Sequence, residues 1–207
     1  MLEQALNGLE QINRPEILIF VTILAVILVA ISKSGFGGAL GSLGLPVMVF
    51  VFPPKLAIAV LLPLYLITDL FVAYTWRKFP VIKILKVMVL GGLTGQILGW
   101  LCFGYLDDNY ILILIGLLAL ITSIRYFKNL IWKNVIADKT KTYIKSSFLR
   151  AMGWCGFSGF SSFVALTGGI PAQIYLLPMG LERQLFVGTM SFYFLIINLA
   201  KLPFFFD

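Results

Sequence analysis

Residues Ser34–Pro46 read Ser-Gly-Phe-Gly-Gly-Ala-Leu-Gly-Ser-Leu-Gly-Leu-Pro, five glycines and a proline with apolar runs on both sides. Glycine and proline are the poorest helix formers, so a helix entering this stretch is expected to break. In lipid, a break leaves backbone N–H and C=O groups unpaired. It survives only where protein or a water-filled cavity surrounds it. A second stretch of this kind lies at Phe157–Pro171. The chain is therefore expected to fold around two interrupted helices.

Composition places those breaks in a membrane. Hydrophobic residues make up 60% of the chain and charged residues 12%, against about 45–50% and about 25% in soluble domains. The fold class expected is an all-α, polytopic integral membrane protein. The net charge of +7 does not point to nucleic acid. The basic residues sit in loops between apolar runs, without the basic groove and interleaved aromatics that single strands need. Cys102 and Cys155 both lie within apolar runs and form neither a disulfide framework nor a metal site. They read as small buried hydrophobes. The chain has no histidine, which removes the commonest metal ligand and general base. No cofactor and no metal are expected.

Eight apolar runs can be traced. Met1–Arg14 lacks the basic start and small-residue cleavage site of a signal peptide, so the first run, Glu16–Ser32, is expected to be retained as a transmembrane helix. Ala39–Phe52 follows; at about 1.5 Å per residue it spans only some 20 Å of a core about 30 Å thick. It reads as half of a broken helix or a limb of a re-entrant loop. The remaining runs are Leu56–Trp76, Val81–Leu106, Tyr110–Phe127, Phe148–Thr167, Ile170–Leu177 and Gln184–Phe206, and residues 128–147 form a basic loop. Eleven of the sixteen basic residues fall in 76–86 and 125–150. These segments are expected to be cytoplasmic, with Asp107-Asp108 and the N-terminus outside.

The chain also carries an internal repeat. Gly44, Pro46 and Pro53 align with Gly169, Pro171 and Pro178 at a common offset of 125 residues, and a four-residue gap then sets Asp69 opposite Asn198. Residues 1–147 read as the first transmembrane repeat with its basic loop. Residues 148–207 read as the second, which is shorter and expected to be C-terminally incomplete. Five crossings between the copies give the inverted plan of secondary transporters. A re-entrant second run gives a parallel repeat instead.

The first stretch, followed by Pro53-Pro54-Lys55 and Leu62-Pro63…Asp69, resembles the sulfite exporter TauE/SafE family. The second copy is similar to that family's second half, through Gly159-Phe-Ser-Ser-Phe, Gly168-Gly-Ile-Pro171, Tyr175-Leu-Leu-Pro178, Val187-Gly188-Thr189 and Asn198-Leu-Ala-Lys201. The resemblance implies an inner-membrane carrier of sulfite, sulfonates or related small organic anions. It also implies a chain that continues past Asp207.

The residues themselves point to an anion. Where a helix is interrupted at membrane depth, the N–H groups opening its second half carry partial positive charge. Ser34, Gly35, Gly37, Gly38, Ser42, Gly44 and Pro46 are the candidates in the first break. Ser161, Ser162, Thr167, Gly168, Gly169 and Pro171 are those in the second. Glycine there lets backbone approach the ligand and permits φ > 0. Gln173 and Asn198 read as ligands or interhelical hydrogen bonds. Asp69, the one acid well inside an apolar run, reads as a coupling-proton site or as the partner of a hydroxyl or of Lys33; reaching water near Trp76 is the alternative. Lys33 and Lys201 flank the breaks and would attract an anion, with snorkelling to the interface as the alternative. Gly91, Gly92, Gly95 and Gly99 read as a helix-packing face.

The expected partners are a small anionic substrate and the lipid bilayer, not nucleic acid; a homo-oligomer stays open. Gly156-Phe157-Ser158-Gly159 superficially resembles a rhomboid-type serine motif, but a serine nucleophile needs an adjacent base, there is no histidine, and a Ser–Lys pair, though conceivable, finds no lysine within the same segment. An enzyme is not expected. An anion channel and a non-transporting structural subunit stay open as alternatives to a carrier.

Overall fold

A computed structural model describes residues 15–35, 40–103, 105, 107, 109–117, 120–121, 124 and 146–206. All regular structure among them is helical. Helix α1 (Pro15–Gly35) begins on a proline, which has no N–H to leave unpaired, and carries Glu16 in its first turn and Lys33 in its last. A 3-10 turn (Leu40–Leu43) and a short helix α2 (Gly44–Met48) follow. Helix α3 (Pro54–Thr75) contains Pro63, and α4 spans Ile82–Phe103. Residues 109–117 are helical. Then come α5 (Phe148–Ala165), α6 (Gly169–Leu176), α7 (Arg183–Leu199) and α8 (Leu202–Phe206).

Among the described residues, four helical spans are long and apolar enough to cross a bilayer: Glu16–Lys33, Pro54–Thr75, Ile82–Phe103 and Arg183–Phe204. The second and seventh apolar runs, by contrast, fold as the short helices α2 and α6 beside the breaks. The fifth run lies partly outside the described residues. Surface chemistry agrees with a multi-pass membrane protein. On α1, Ile19, Phe20, Ile23 and Ile27 face outward, while Ala25, Val29, Ser32 and Lys33 are buried. An apolar outer face of this kind suits lipid.

Two apolar clusters fill the interior. One gathers Val29, Leu45, Met48, Leu61 and Tyr65 with Phe163 and Val164; the other gathers Met88, Ala151, Cys155, Tyr175, Met190 and Tyr193. Among the described elements, helices α4 and α5 make the most extensive contact, and glycines explain it. A Cβ at Gly95 would collide with the Gly156 carbonyl, and one at Gly159 with the Gly92 carbonyl. The expected packing face on α4 is thus met by a matching one on α5. The α3–α4 connection docks on α7 in the same manner. A Cβ at Gly188 would stand 2.9 Å from the Phe79 backbone, and the Val81 N–H donates to Thr189 Oγ1 at 3.0 Å.

Candidate functional site

The two breaks are held by the same kinds of residue. In the first, the Gly41 N–H donates to Ser32 Oγ at 2.6 Å, and the Tyr65 hydroxyl donates to the Gly41 carbonyl at 2.8 Å. In the second, Ser158 Oγ donates to the Gly168 carbonyl at 2.6 Å, and the Tyr193 hydroxyl donates to Ser158 Oγ at 3.0 Å. Each break is therefore tied to a serine on the preceding long helix and a tyrosine on the following one. These bonds satisfy the Gly41 N–H and carbonyl and the Gly168 carbonyl, backbone groups that lie at the interruptions.

The backbone geometry departs from expectation at one point. Among the described residues, positive φ occurs only at Gly180 and Leu166; Gly168 sits at φ −65°. Helix α5 ends on Leu166 at φ 52°, where the Leu166 N–H reaches the Ser162 carbonyl at 3.1 Å and the Thr167 N–H reaches the Ser161 carbonyl at 3.3 Å. A glycine is usual at such a cap. The break glycines serve close approach instead. A Cβ at Gly168 would lie 2.7 Å from the Ser158 carbonyl, and one at Gly44 2.6 Å from the Tyr65 hydroxyl.

Between the breaks lies a cavity of about 10 Å³, lined from the first half by Lys33, Gly41 and Tyr65 and from the second by Ser162, Leu166, Gly169, Phe194 and Asn198. Its volume suits about one water molecule. Helix α6 opens at Gly169, so its N-terminus starts on the cavity wall.

A chain of charge-assisted hydrogen bonds runs along one side of the cavity. Lys33 Nζ donates to Asp69 Oδ1 at 2.6 Å, and its ammonium lies 4.3 Å from the Tyr65 ring centroid. Asn198 Nδ2 donates to Asp69 Oδ2 at 2.6 Å. Lys201 Nζ donates to Asn198 Oδ1 and to the Ser162 carbonyl and meets Ser162 Oγ, each at 2.8 Å. Neither lysine snorkels, and Asp69 does not reach water: exposures are 7% for Lys33, 0% for Lys201 and 1% for Asp69. The Asn198 amide is oriented by its two neighbours, its nitrogen toward the carboxylate and its oxygen toward the Lys201 amino group.

Helix α7 delivers Asn198 and Lys201 because it stops between them. Pro203 has no N–H for the Leu199 carbonyl, and the Lys201 N–H bonds back to Asn198 at 3.3 Å. The Ile197 carbonyl is taken by Gln96 Nε2 of α4 at 2.7 Å.

Of the residues singled out in the sequence, Lys33, Ser162, Gly169 and Asn198 line the cavity, and Asp69 and Lys201 complete the charged chain. Ser161 and Thr167 are buried beside it, with their hydroxyls on the carbonyls of Ser158 (3.2 Å) and Ser161 (3.4 Å). Pro171 is buried behind Gly169, while Pro46 and Gln173 are half-buried and not part of the lining. Gly37 and Gly38 lie outside the described residues, as do the side chains of Ser34 and Ser42 and the surroundings of Gly35. The sequence reading missed Ser32, Tyr65, Ser158 and Tyr193. Extending the repeat alignment with small gaps would have paired Ser32 with Ser158 and Tyr65 with Tyr193.

A family model described as sulfite exporter TauE/SafE matches residues 22–207. No curated protein and no solved structure matches the chain.

Proposed function

The chain belongs to the sulfite exporter TauE/SafE family of membrane transporters, and we propose that it is a secondary transporter of small anions, sulfite or a small sulfonate, bound between its two helix breaks. One observation carries this reading: a cavity between the breaks lined by Lys33, Ser162 and Asn198 together with Gly169, where α6 begins. A sulfur oxyanion has several acceptor oxygens, and this wall supplies ammonium, hydroxyl, amide and backbone donors. In this reading Ser161, Thr167, Gly168 and Pro171 shape the second break around the ligand, and Gly44 and Pro46 shape the first. In this reading Asp69, bonded to both Lys33 and Asn198, is the coupling-proton site. Protonating it would release Lys33 toward the substrate.

Residues 1–147 and 148–207 act as an inverted pair around the site, with the basic segments 76–86 and 125–150 on the cytoplasmic face of the inner membrane. The small cavity favours a carrier that must rearrange over an open channel.

Uptake of radiolabelled sulfite and methanesulfonate into proteoliposomes, with and without a pH gradient, tests the proposal. Saturable, gradient-dependent flux that is lost in Asp69→Asn is expected. Gly169→Leu is expected to abolish flux while the protein stays in the membrane. Flux that does not saturate and ignores the gradient would make the protein a channel. Absence of flux for every small anion would leave a structural subunit.

A further inference from the structure

Lys201 is fully buried, and its surroundings suit two protonation states. Its Nζ lies 2.8 Å from Asn198 Oδ1, from the Ser162 carbonyl and from Ser162 Oγ. The first two only accept, because the Asn198 nitrogen is turned to Asp69. The third is a hydroxyl, which donates or accepts. An ammonium donates to all three, whereas a neutral amine donates to two and accepts from the hydroxyl. One rotation of the Ser162 O–H bond therefore converts a site for the amine into a site for the ammonium, with no heavy atom moving. The charged groups that bear on Lys201 are Lys33 of α1 and Asp69 of α3. These two pair with each other at 2.6 Å, and the second Asp69 oxygen is held by Asn198. Among the described residues no carboxylate pairs with Lys201. The phenols of Tyr65 and Tyr193 each donate a hydrogen bond and so are neutral. Phe36–Ala39, outside the described residues, holds nothing ionisable, and Asp207 also lies outside them.

Resting on the anion-transport reading above, with Asp69 as its proton site, we infer that Lys201 is a second protonation site, neutral in the empty cavity and protonated when a dianion enters. An ammonium buried without a counter-charge is costly, so the empty site holds Lys33 and Asp69 as a balanced pair and Lys201 as the amine. A monoanion that arrives with one proton on Asp69 keeps the balance, because it replaces the carboxylate as the partner of Lys33. A second negative charge has no such partner. Lys201 is bonded to Ser162 and Asn198, and both line the cavity, so its nitrogen stands one side chain behind the anion. A negative charge that close favours the protonated form. The proton enters from water with the anion while the site is open. Taking it up ends the need for the Ser162 hydroxyl to donate to Lys201 and frees that hydroxyl to donate to the anion. Protons bound then equal the charge of the anion, and no loaded state buries a net charge. One cavity thereby serves a monoanionic sulfonate and dianionic sulfite.

Nitrogen NMR of protein isotope-labelled at the lysine side chains reads this state directly, because amine and ammonium nitrogens resonate apart. The empty protein in lipid at neutral pH is expected to show one amine signal, absent in Lys201→Arg. Sulfate is expected to turn that signal into an ammonium one. Methanesulfonate, four-coordinate about sulfur like sulfate but with one charge, is expected to leave it. An amine signal that is missing from the empty protein, that persists in Lys201→Arg or that sulfate leaves in place overturns the inference. Calorimetric binding to the purified protein, in two buffers of different ionisation enthalpy, counts the protons independently and needs no variant. Wild type is expected to take up one proton with methanesulfonate and two with sulfate. Sulfate should then lose affinity relative to methanesulfonate by about tenfold for each unit rise in pH, the slope that one further proton imposes. Equal counts, or failure to bind sulfate, overturn the second site alone. Binding of neither anion overturns the transport reading with it.

Discussion

Asp69 is the residue on which most of the interior polarity depends. Its two oxygens serve Lys33 on α1 and Asn198 on α7, and through Asn198 they connect to Lys201. Removing one partner of a buried pair leaves the other charge uncompensated, whereas removing both is tolerated far better. Asp69→Leu is therefore expected to destabilise the protein by about 3–5 kcal/mol. The double change Lys33→Met/Asp69→Leu should recover much of that loss and still fail to transport. Thermal unfolding in detergent, followed by reaction of the buried Cys155 thiol in a Cys102→Ala background, would measure both. A double variant as unstable as Asp69→Leu would mean the pair is not coupled as the 2.6 Å contact implies. Ser158 offers a milder test, since Ser158→Ala leaves the buried Gly168 carbonyl without its 2.6 Å donor. The expected loss is about 1–3 kcal/mol in the same assay.

At the scale of elements, glycine placement divides packing positions from free ones. Gly95→Ala drives a methyl group into the Gly156 carbonyl, and neither helix backbone can yield without separating α4 from α5. Gly153 lies on the same α5 with nothing within 4 Å of an added Cβ. Gly153→Ala is therefore expected to be neutral or stabilising by up to about 1 kcal/mol, while Gly95→Ala should lower the unfolding temperature sharply. Equal midpoints for the two variants would contradict the packing described. The spacing of Gly91, Gly95 and Gly99 made this contact legible in the sequence, because residues four apart share a helix face. The two breaks were legible for a similar reason: glycine and proline act through the backbone, wherever the chain goes. The tyrosine and serine ties were not. Tyr65 and Ser158 sit in apolar helices where they look like ordinary core residues, and their role exists only through contacts such as Tyr65 to Gly41. Leu166 was unreadable as a left-handed cap because the neighbouring glycines were the expected owners of that conformation. Lys33 and Lys201 could equally have snorkelled, and only the burial of their partners decides the matter.

For the whole molecule, the decisive quantity is the size of the cavity. Room for about one water cannot hold a sulfur oxyanion, so the cavity must widen before substrate binds. Entry requires the wall formed by Lys33, Gly41 and Tyr65 to part from that formed by Ser162, Gly169 and Asn198. Alternating access places such a division between two moving units around one site. Ser162 is a suitable reporter, being 3% exposed and on the cavity wall. In a background with Cys102 and Cys155 replaced by alanine, Ser162→Cys is expected to react with an anionic methanethiosulfonate supplied from either face of reconstituted vesicles. Saturating methanesulfonate, which does not react with the reagent, should slow the reaction from both faces, because the anion occupies the same space. Reaction from one face only, or at a rate that methanesulfonate leaves unchanged, would place this cavity off the transport path. Equal protection from both faces would instead mean that one site is presented alternately, as a carrier requires and a fixed structural subunit does not.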